Sequence, residues 1–227
     1  MNGREKAFLC KTVVSLTEEE WERVKRLGTP ITVAAGQTIF GEGDPARHIF
    51  VIEKGNVKIS RNSPLGKVVT VGIRRAGDVV GMAEALSGMD RCCYASALEP
   101  CSLWKLETEK FIEMLHSHPA LAVKVATTLG SRLREAENLF SNMVAMDVDR
   151  RLARLIVSLA DRFGVAGQHG VKVDIPLTQQ DLATMIGSCR QTVTTTLQKF
   201  KDDGLIVTGK KSIEVLNEIE LRRIADS

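Results

Sequence analysis

The chain has 227 residues, of which 44% are hydrophobic, 26% charged and only 4% aromatic. That is too apolar for a disordered chain and too charged for a membrane bundle, and the length suits one large domain or two modest ones, of which two are expected. A net charge of +3, from 31 basic and 28 acidic residues, excludes a surface that binds polyanions everywhere, so any nucleic-acid contact needs a local patch.

Five cysteines, Cys10, Cys92, Cys93, Cys101 and Cys189, give no even framework and no Cys-x-x-Cys pair. Reduced thiols in a cytoplasm are the simplest expectation. Residues 1 to 16 carry Arg4, Glu5, Lys6 and Lys11 around a broken apolar stretch, unlike a signal peptide, and nowhere do about 18 apolar residues run together. Neither export nor membrane spanning is indicated.

The first element is a short helix: Thr17 and Glu20 have capping-box spacing, Leu16 and Trp21 hold the staple positions, and Gly28 ends it. Glycine then recurs at 43, 55, 66, 77 and 88, a rhythm that punctuates strands. Between them lie Ile49-Phe50-Val51-Ile52, Val57-Lys58-Ile59-Ser60 and Val68-Val69-Thr70-Val71, β-branched runs suited to an antiparallel β roll or jelly roll. Residues 94 to 106 read as a last strand or strand pair bent at Pro100. Cys92 and Cys93 should alternate faces, so at most one would face a pocket.

After Pro119 the period changes. Ala122, Leu129, Ala136 and Met143 fall seven apart, and Ala126, Leu133 and Phe140 each follow four residues later, which makes a coiled-coil seam on one long helix. The seam is narrow and flanked by Arg132, Arg134, Glu135, Glu137 and Asn138, so a parallel homodimer is expected rather than packing on the chain's own β domain. Asp147 caps the next helix, whose apolar face is Leu152, Leu155, Ile156, Leu159 and Phe163. Residues 164 to 170 read as a loop and residues 171 to 175 as a half-exposed strand. The expected organisation is α+β: a sensor domain over 1–118, a dimerisation helix over 119–146 and a winged helix-turn-helix over 147–227.

Two capped helices then follow in succession, Thr178 with Asp181 starting the first and Ser188 with Gln191 the second. Small Ala183 suits a helix crossing, Gly187 can take the turn's positive φ, and Val193 points inward, which is helix-turn-helix spacing. Arg190, Gln191, Thr194 and Thr195 lie on the exposed first turns; arginine suits guanine O6 and N7, and glutamine suits adenine N6 and N7. Ser188, Cys189, Thr192 and Lys199 are placed for phosphates, Thr178 is a further DNA-binding candidate, and a hairpin around Gly209-Lys210-Lys211 adds a wing with a basic tip.

The order of parts, with Gly77-Asp78-Val79-Val80-Gly81, residues 146 to 155 and residues 186 to 193, resembles the cyclic-AMP receptor and fumarate-nitrate-reduction (CRP/FNR) regulator family over nearly the whole chain. The recognition helix is similar to that of the carbon-monoxide-sensing haem regulators. The resemblance implies a bacterial transcription factor that binds double-stranded DNA, works with RNA polymerase and senses a small effector in its β roll. It places the effector site at Gly81, Met82, Ala83, Glu84, Arg91 and Cys92, with Arg132, Ala136 and Glu137 on the long helix. Arg91 stands where that family binds phosphate. Met82 replaces the ribose-binding glutamate, and Ala136 and Glu137 replace expected hydroxyls, so a small anion or an altered cyclic nucleotide is expected.

Haem is not expected, because Gly81 and Ala83 flank Met82 where those sensors have cysteine and histidine. An iron-sulfur cluster on Cys10, Cys92, Cys93 and Cys101 is not expected either, since Cys10 is alone in its region. His48, His116, His118 and His169 are scattered, no metal set is recognised, and no nucleophile motif or phosphate loop points to an enzyme. The competing readings are a cyclic-nucleotide-type subunit regulating another protein, which would not use Arg190 and Gln191, and a thiol redox regulator, which lacks a resolving pair.

Overall fold

The computed structural model describes residues 16 to 227, which fall into two compact units that divide between Arg132 and Leu133. The amino-terminal unit opens with α1 (Glu18–Leu27), where the Thr17 hydroxyl accepts from the Glu20 N–H and the Glu20 carboxylate accepts from the Thr17 N–H. Glu18 to Glu20 sit at the positive end of its dipole, with Lys25 and Arg26 at the negative end.

Eight strands follow: β1 (Thr29–Val33), β2 (Thr38–Phe40), β3 (His48–Lys54), β4 (Val57–Asn62), β5 (Val68–Arg74), β6 (Val79–Val80), β7 (Tyr94–Ala97) and β8 (Cys101–Glu107). They form two antiparallel sheets ordered β1-β8-β3-β6 and β2-β7-β4-β5, the expected β roll. Phe50, Ile52, Val57, Ile59, Ala95 and Leu103 build a core that draws on both sheets. The next residues along β3, Ile49 and Val51, belong instead to a second core with Val24, Leu106, Phe111, Leu121 and Val125. Both faces of β3 are therefore covered, which is why its sequence runs apolar without alternation. Each fully buried aliphatic or aromatic side chain here contributes about 1.5–3 kcal/mol.

The five rhythmic glycines all adopt positive φ, between 67° and 92°. Four separate strands, but Gly88 closes a helix, α2 (Met82–Ser87), that the strand rhythm does not predict. A six-residue helix is too short for a 3.6 period to register. The strands β1 and β2, of five and three residues, are likewise short for a period of two to register, and α3 (Thr108–Ser117) is a further element that the sequence pattern does not mark. The long helix, α4, spans Pro119–Ala145, and near its start Lys124 Nζ lies 2.7 Å from Glu20 Oε2 of α1.

The carboxyl-terminal unit contains α5 (Val148–Phe163), β9 (Gly164–Ala166), β10 (Val171–Val173), α6 (Gln179–Met185), α7 (Arg190–Asp202), β11 (Ile206–Gly209), β12 (Ser212–Val215) and α8 (Glu218–Asp226). Asp147 caps α5 by accepting from the Arg150 N–H, and its expected apolar face is buried throughout. The 164 to 170 segment is not wholly a loop: Gly164 and Ala166 pair with Val173 and Val171, adding β9 to the sheet β11-β12-β10-β9. The closing helix α8, also unexpected, buries Leu221 and Ala225 and joins α5 through Arg222 and Asp161. Among the described residues no helix is long and apolar enough to cross a membrane.

Candidate functional site

The helix-turn-helix is assembled by local chemistry. Thr178 caps α6 in a reciprocal box with Asp181, whose carboxylate accepts from both the Thr178 N–H at 3.0 Å and its hydroxyl at 2.6 Å. Ala183 and Val193 are fully buried where the helices meet, and Gly187 takes φ +63° in the turn. The Ser188 N–H donates to the Ala183 carbonyl, which commits Ser188 to the turn. The capping position of α7 is consequently Cys189, one residue later than the Ser188 box predicts, and no side chain caps the helix there. Cys189 Sγ lies 3.1 Å from Thr192 Oγ1, a contact that lowers the thiol's pKa from its ordinary value.

Arg190, Gln191, Thr194 and Thr195 are all exposed on the first turns of α7. The Thr195 hydroxyl donates to the Gln191 carbonyl, while Thr194 Oγ1 lies 2.7 Å from Gln179 Oε1 of α6. Lys199 is exposed too, but its Nζ lies 2.7 Å from Asp149 Oδ2 on α5, and the Thr196 hydroxyl donates to the same carboxylate. In the wing, Gly209 faces Ser212 across a two-residue turn of exposed Lys210 and Lys211, with Lys211 at φ +60°.

On α4 the heptad positions separate into three groups. Ala126, Leu133, Ala136 and Phe140 are exposed, Leu133 and Phe140 at 61% and 71%. Ala122 and Leu129 are half-buried against the β-roll core, and Met143 lies against Gly187, where a Cβ would come within 3.2 Å of its methyl. Glu135, expected as a solvated flank, is buried beside Arg162 of α5 at 3.9 Å.

The amino-terminal unit holds a cavity of about 180 Å³ lined by Phe40, Ile59, Arg74, Val80, Gly81, Met82, Ala83, Glu84, Cys93, Leu129 and Arg132. Five of the nine expected effector residues, Gly81 to Glu84 and Arg132, are in its wall; Arg91, Cys92, Ala136 and Glu137 are not. Ala136 and Glu137 are exposed. Arg91 is 3% exposed and turned away: its fork donates to the Gly81 carbonyl at 2.5 Å and to the His48 carbonyl, stacks 4.3 Å over the Phe40 ring and lies 3.6 Å from Glu84 Oε2. Gly81 adopts φ +78°, a backbone conformation that strains any side chain, and a Cβ there would also press on that guanidinium at 2.6 Å. The cavity's cations are instead Arg74, buried on β5, and Arg132, which donates to the Val79 carbonyl at 2.9 Å and lies 3.8 Å from Asp78. Arg74 escaped sequence reasoning, although a charge at the end of an apolar strand was the available signal.

Only Cys93 of the two adjacent cysteines lines the cavity, as expected, although they do not alternate along a strand. They precede β7 in a bend, and both thiols converge on Glu84 Oε1, at 3.0 and 3.8 Å. Burial, reinforced by the Glu84 charge, pushes the Cys93 thiol up to about 12, and Cys92 is also raised. Burial works to raise Glu84 as well, but hydrogen bonding from Cys92 and the charge of Arg91 leave it below its ordinary value. Cys101 is buried elsewhere, its thiol donating to the Asn56 and Glu99 carbonyls. Cys10, the fourth ligand of the cluster considered above, lies outside the described residues.

Comparison with known proteins matches residues 30–118 to the cyclic nucleotide-binding domain and residues 150–224 to the Crp-like helix-turn-helix domain. A global nitrogen regulator of Synechococcus elongatus is 34% identical over 188 residues, covering 82% of this chain and 85% of the relative. A CRP-like cAMP-activated global transcriptional regulator of Mycobacterium tuberculosis is 27% identical, covering 86% and 88%. Among solved structures, a CRP-family transcriptional regulator from Thermus thermophilus superposes with a TM-score of 0.75 at 26% identity, covering 87% of this chain and 97% of that one.

Proposed function

Because this chain belongs to the CRP/FNR family of transcription regulators, we propose that it works as a homodimer whose two α7 helices read a near-palindromic DNA site under control of a small anion held in the β roll. The observation that carries the DNA reading is the exposed face of α7: Arg190 and Gln191 present base-reading groups on the first turn of a helix whose other side is locked by Val193 and Phe200. Ser188, Cys189, Thr192, Lys199 and the wing tip Lys210 and Lys211 are assigned to the phosphate backbone, which positions without specifying. Thr178 serves as the cap that fixes α6. RNA polymerase is the expected further partner, the cytoplasm the expected compartment, and no catalytic role is assigned.

Dimerisation is assigned to α4, with 119–146 as its span. The exposed row Ala126, Leu133, Ala136 and Phe140 is an apolar stripe that a monomer would leave in water, and a second copy of the same helix is its natural cover. Ala122, Leu129 and Met143, half-buried, are the remaining positions of the proposed seam.

For the effector, the residues do not fit a cyclic nucleotide. Arg91 gives Nη1 and Nη2 to the Gly81 and His48 carbonyls inside the protein, Met82 is fully buried where ribose would need an acceptor, and about 180 Å³ is small against the roughly 300–1,000 Å³ of drug-sized ligand pockets. Arg74 and Arg132 in the wall favour a compact organic anion. Such a ligand would shift the protein between two states by its differential affinity for them. Calorimetry with a panel of small organic anions and cyclic nucleotides tests this. Binding of an anion that Arg132→Ala abolishes supports the reading, and tight binding of a cyclic nucleotide overturns it.

A further inference from the structure

Among the described residues, one group of metal-ligating side chains gathers in three dimensions: Glu84, Cys92 and Cys93, whose donor atoms all lie within 4.8 Å of one another. It borders the cavity to whose cations Arg74 and Arg132 the effector reading assigns the anion: Glu84 and Cys93 line that cavity and Cys92 does not. Glu84 comes from the first turn of α2, the cysteines from the bend before β7, so the fold rather than sequence proximity alone brings the carboxylate to the thiols.

We propose that Glu84, Cys92 and Cys93 form a binding site for a thiophilic divalent cation such as Zn²⁺. The spacing suits it. Tetrahedral bonds of about 2.3 Å to sulfur and about 2.0–2.2 Å to carboxylate oxygen imply donor separations of about 3.5–3.8 Å. The two sulfurs already lie 3.0 and 3.8 Å from Glu84 Oε1, so closure requires shifts of well under an ångström for those pairs. The charge suits it as well. Binding releases the two thiol protons to solvent, and the resulting two thiolates and carboxylate carry −3, which a divalent cation and the Arg91 guanidinium, 3.6 Å from the other Glu84 oxygen, bring to zero. That guanidinium also orients the carboxylate, as an outer partner of a metal ligand commonly does. Two sulfurs and one oxygen leave a fourth position for water, and softness of the donor set favours zinc over magnesium or calcium. A bound ion would clamp α2 to the start of β7, two elements that border the cavity.

Cobalt titration of the full-length, reduced, metal-free protein tests the proposal, since Co²⁺ in a thiolate site gives sulfur-to-metal charge-transfer bands. One Co²⁺ per chain is expected, displaced by Zn²⁺. Cys92→Ser, at an exposed position that leaves the core intact, should roughly halve the charge-transfer intensity, and Cys92→Ser with Cys93→Ser should abolish it. Glu84→Gln should weaken binding at least about tenfold while retaining the bands, whereas Cys10→Ser and Cys189→Ser should change nothing. Absence of the bands in wild type at micromolar protein, their survival unchanged in Cys92→Ser, or their loss in Cys10→Ser would overturn the proposal. The readout is independent of DNA binding, so its failure leaves the regulator reading untouched, and failure of that reading leaves this one standing.

Discussion

Lys199 of the recognition helix is held by Asp149 of α5, Nζ to Oδ2 at 2.7 Å, so a cation that sequence assigns to DNA phosphate is engaged within the protein. The same carboxylate accepts the Thr196 hydroxyl, which makes Asp149 the clip between α5 and α7. Both charges are open to solvent, so water and salt screen the pair and it holds the lysine only weakly. On the proposed reading, a DNA phosphate competes with Asp149 for Lys199. Lys199→Ala should reduce the slope of log affinity against log salt by about 0.9, whereas Asp149→Asn should release the lysine and tighten binding to all sequences alike. Fluorescence anisotropy across a salt series measures both.

The clip also has a pH signature. The hydrogen bond from Lys199, aided by Thr196, holds Asp149 below its ordinary value of 3.8. A carboxylate depressed in the folded state contributes stability that is present above that ordinary value and lost as pH falls through the folded one. Wild type should thus exceed Asp149→Asn in urea midpoint near neutrality, and the gap should narrow as pH drops below 3.8. A gap independent of pH would mean that the ion pair is not its source.

Gly187→Ala should destabilise the carboxyl-terminal unit. Its φ of +63° costs an L-residue about 1–2 kcal/mol, and the new methyl would also press on Met143 at 3.2 Å. Methionine can swing aside, so the backbone term dominates. Chemical denaturation should show the loss, and a Gly187→Asn variant, which tolerates that backbone better, should lose less.

Ala136→Glu would place two like charges together wherever the exposed rows of two α4 helices meet. Analytical ultracentrifugation should show a dimer for wild type and at least about a tenfold weaker association for the variant, with DNA affinity falling in parallel. Wild type sedimenting as a monomer at micromolar concentration would remove α4 from this role.

Arg91 and Arg132 should separate stability from sensing. Truncating Arg91 leaves Glu84 without its guanidinium and strips donors from two carbonyls, so Arg91→Ala should cost about 3–5 kcal/mol, the range for breaking a buried pair. Arg132→Ala should cost less unfolding free energy than Arg91→Ala, because its side chain is 19% exposed against 2% for Arg91, its Asp78 contact is long at 3.8 Å, and it gives up one hydrogen bond, to the Val79 carbonyl, rather than two. Equal destabilisation by both would make Arg132 a structural residue.

What sequence discloses here is what neighbouring residues decide. Thr178 with Asp181, Asp147 before α5 and the glycine at 187 are each within a few residues of their partners, and the structure has all three in place. The exposed face of α7 follows from period alone; on α4 the period does not tell which heptad positions the chain covers itself, as it does at Ala122 and Leu129. Arg91 was legible only as a charge in the right loop; its partners Gly81 and His48 lie 10 and 43 residues away, and packing decides that it faces inward. Strand alternation fails at Cys92 and Cys93 because the chain bends before β7, a feature no residue pattern announced. Ser188 looked like a cap by spacing, yet its backbone is taken by Ala183 across the turn.

The most direct test of the central claim is selection of wild type and Arg190→Ala against a randomised duplex library, followed by sequencing. Wild type should enrich an inverted repeat with half-site centres about 10–10.5 base pairs apart or a multiple of that, and Arg190→Ala should lose preference for one guanine in each half-site at a cost of about 1–3 kcal/mol. Enrichment of the same motif by both proteins, or no inverted repeat from wild type, would contradict the account.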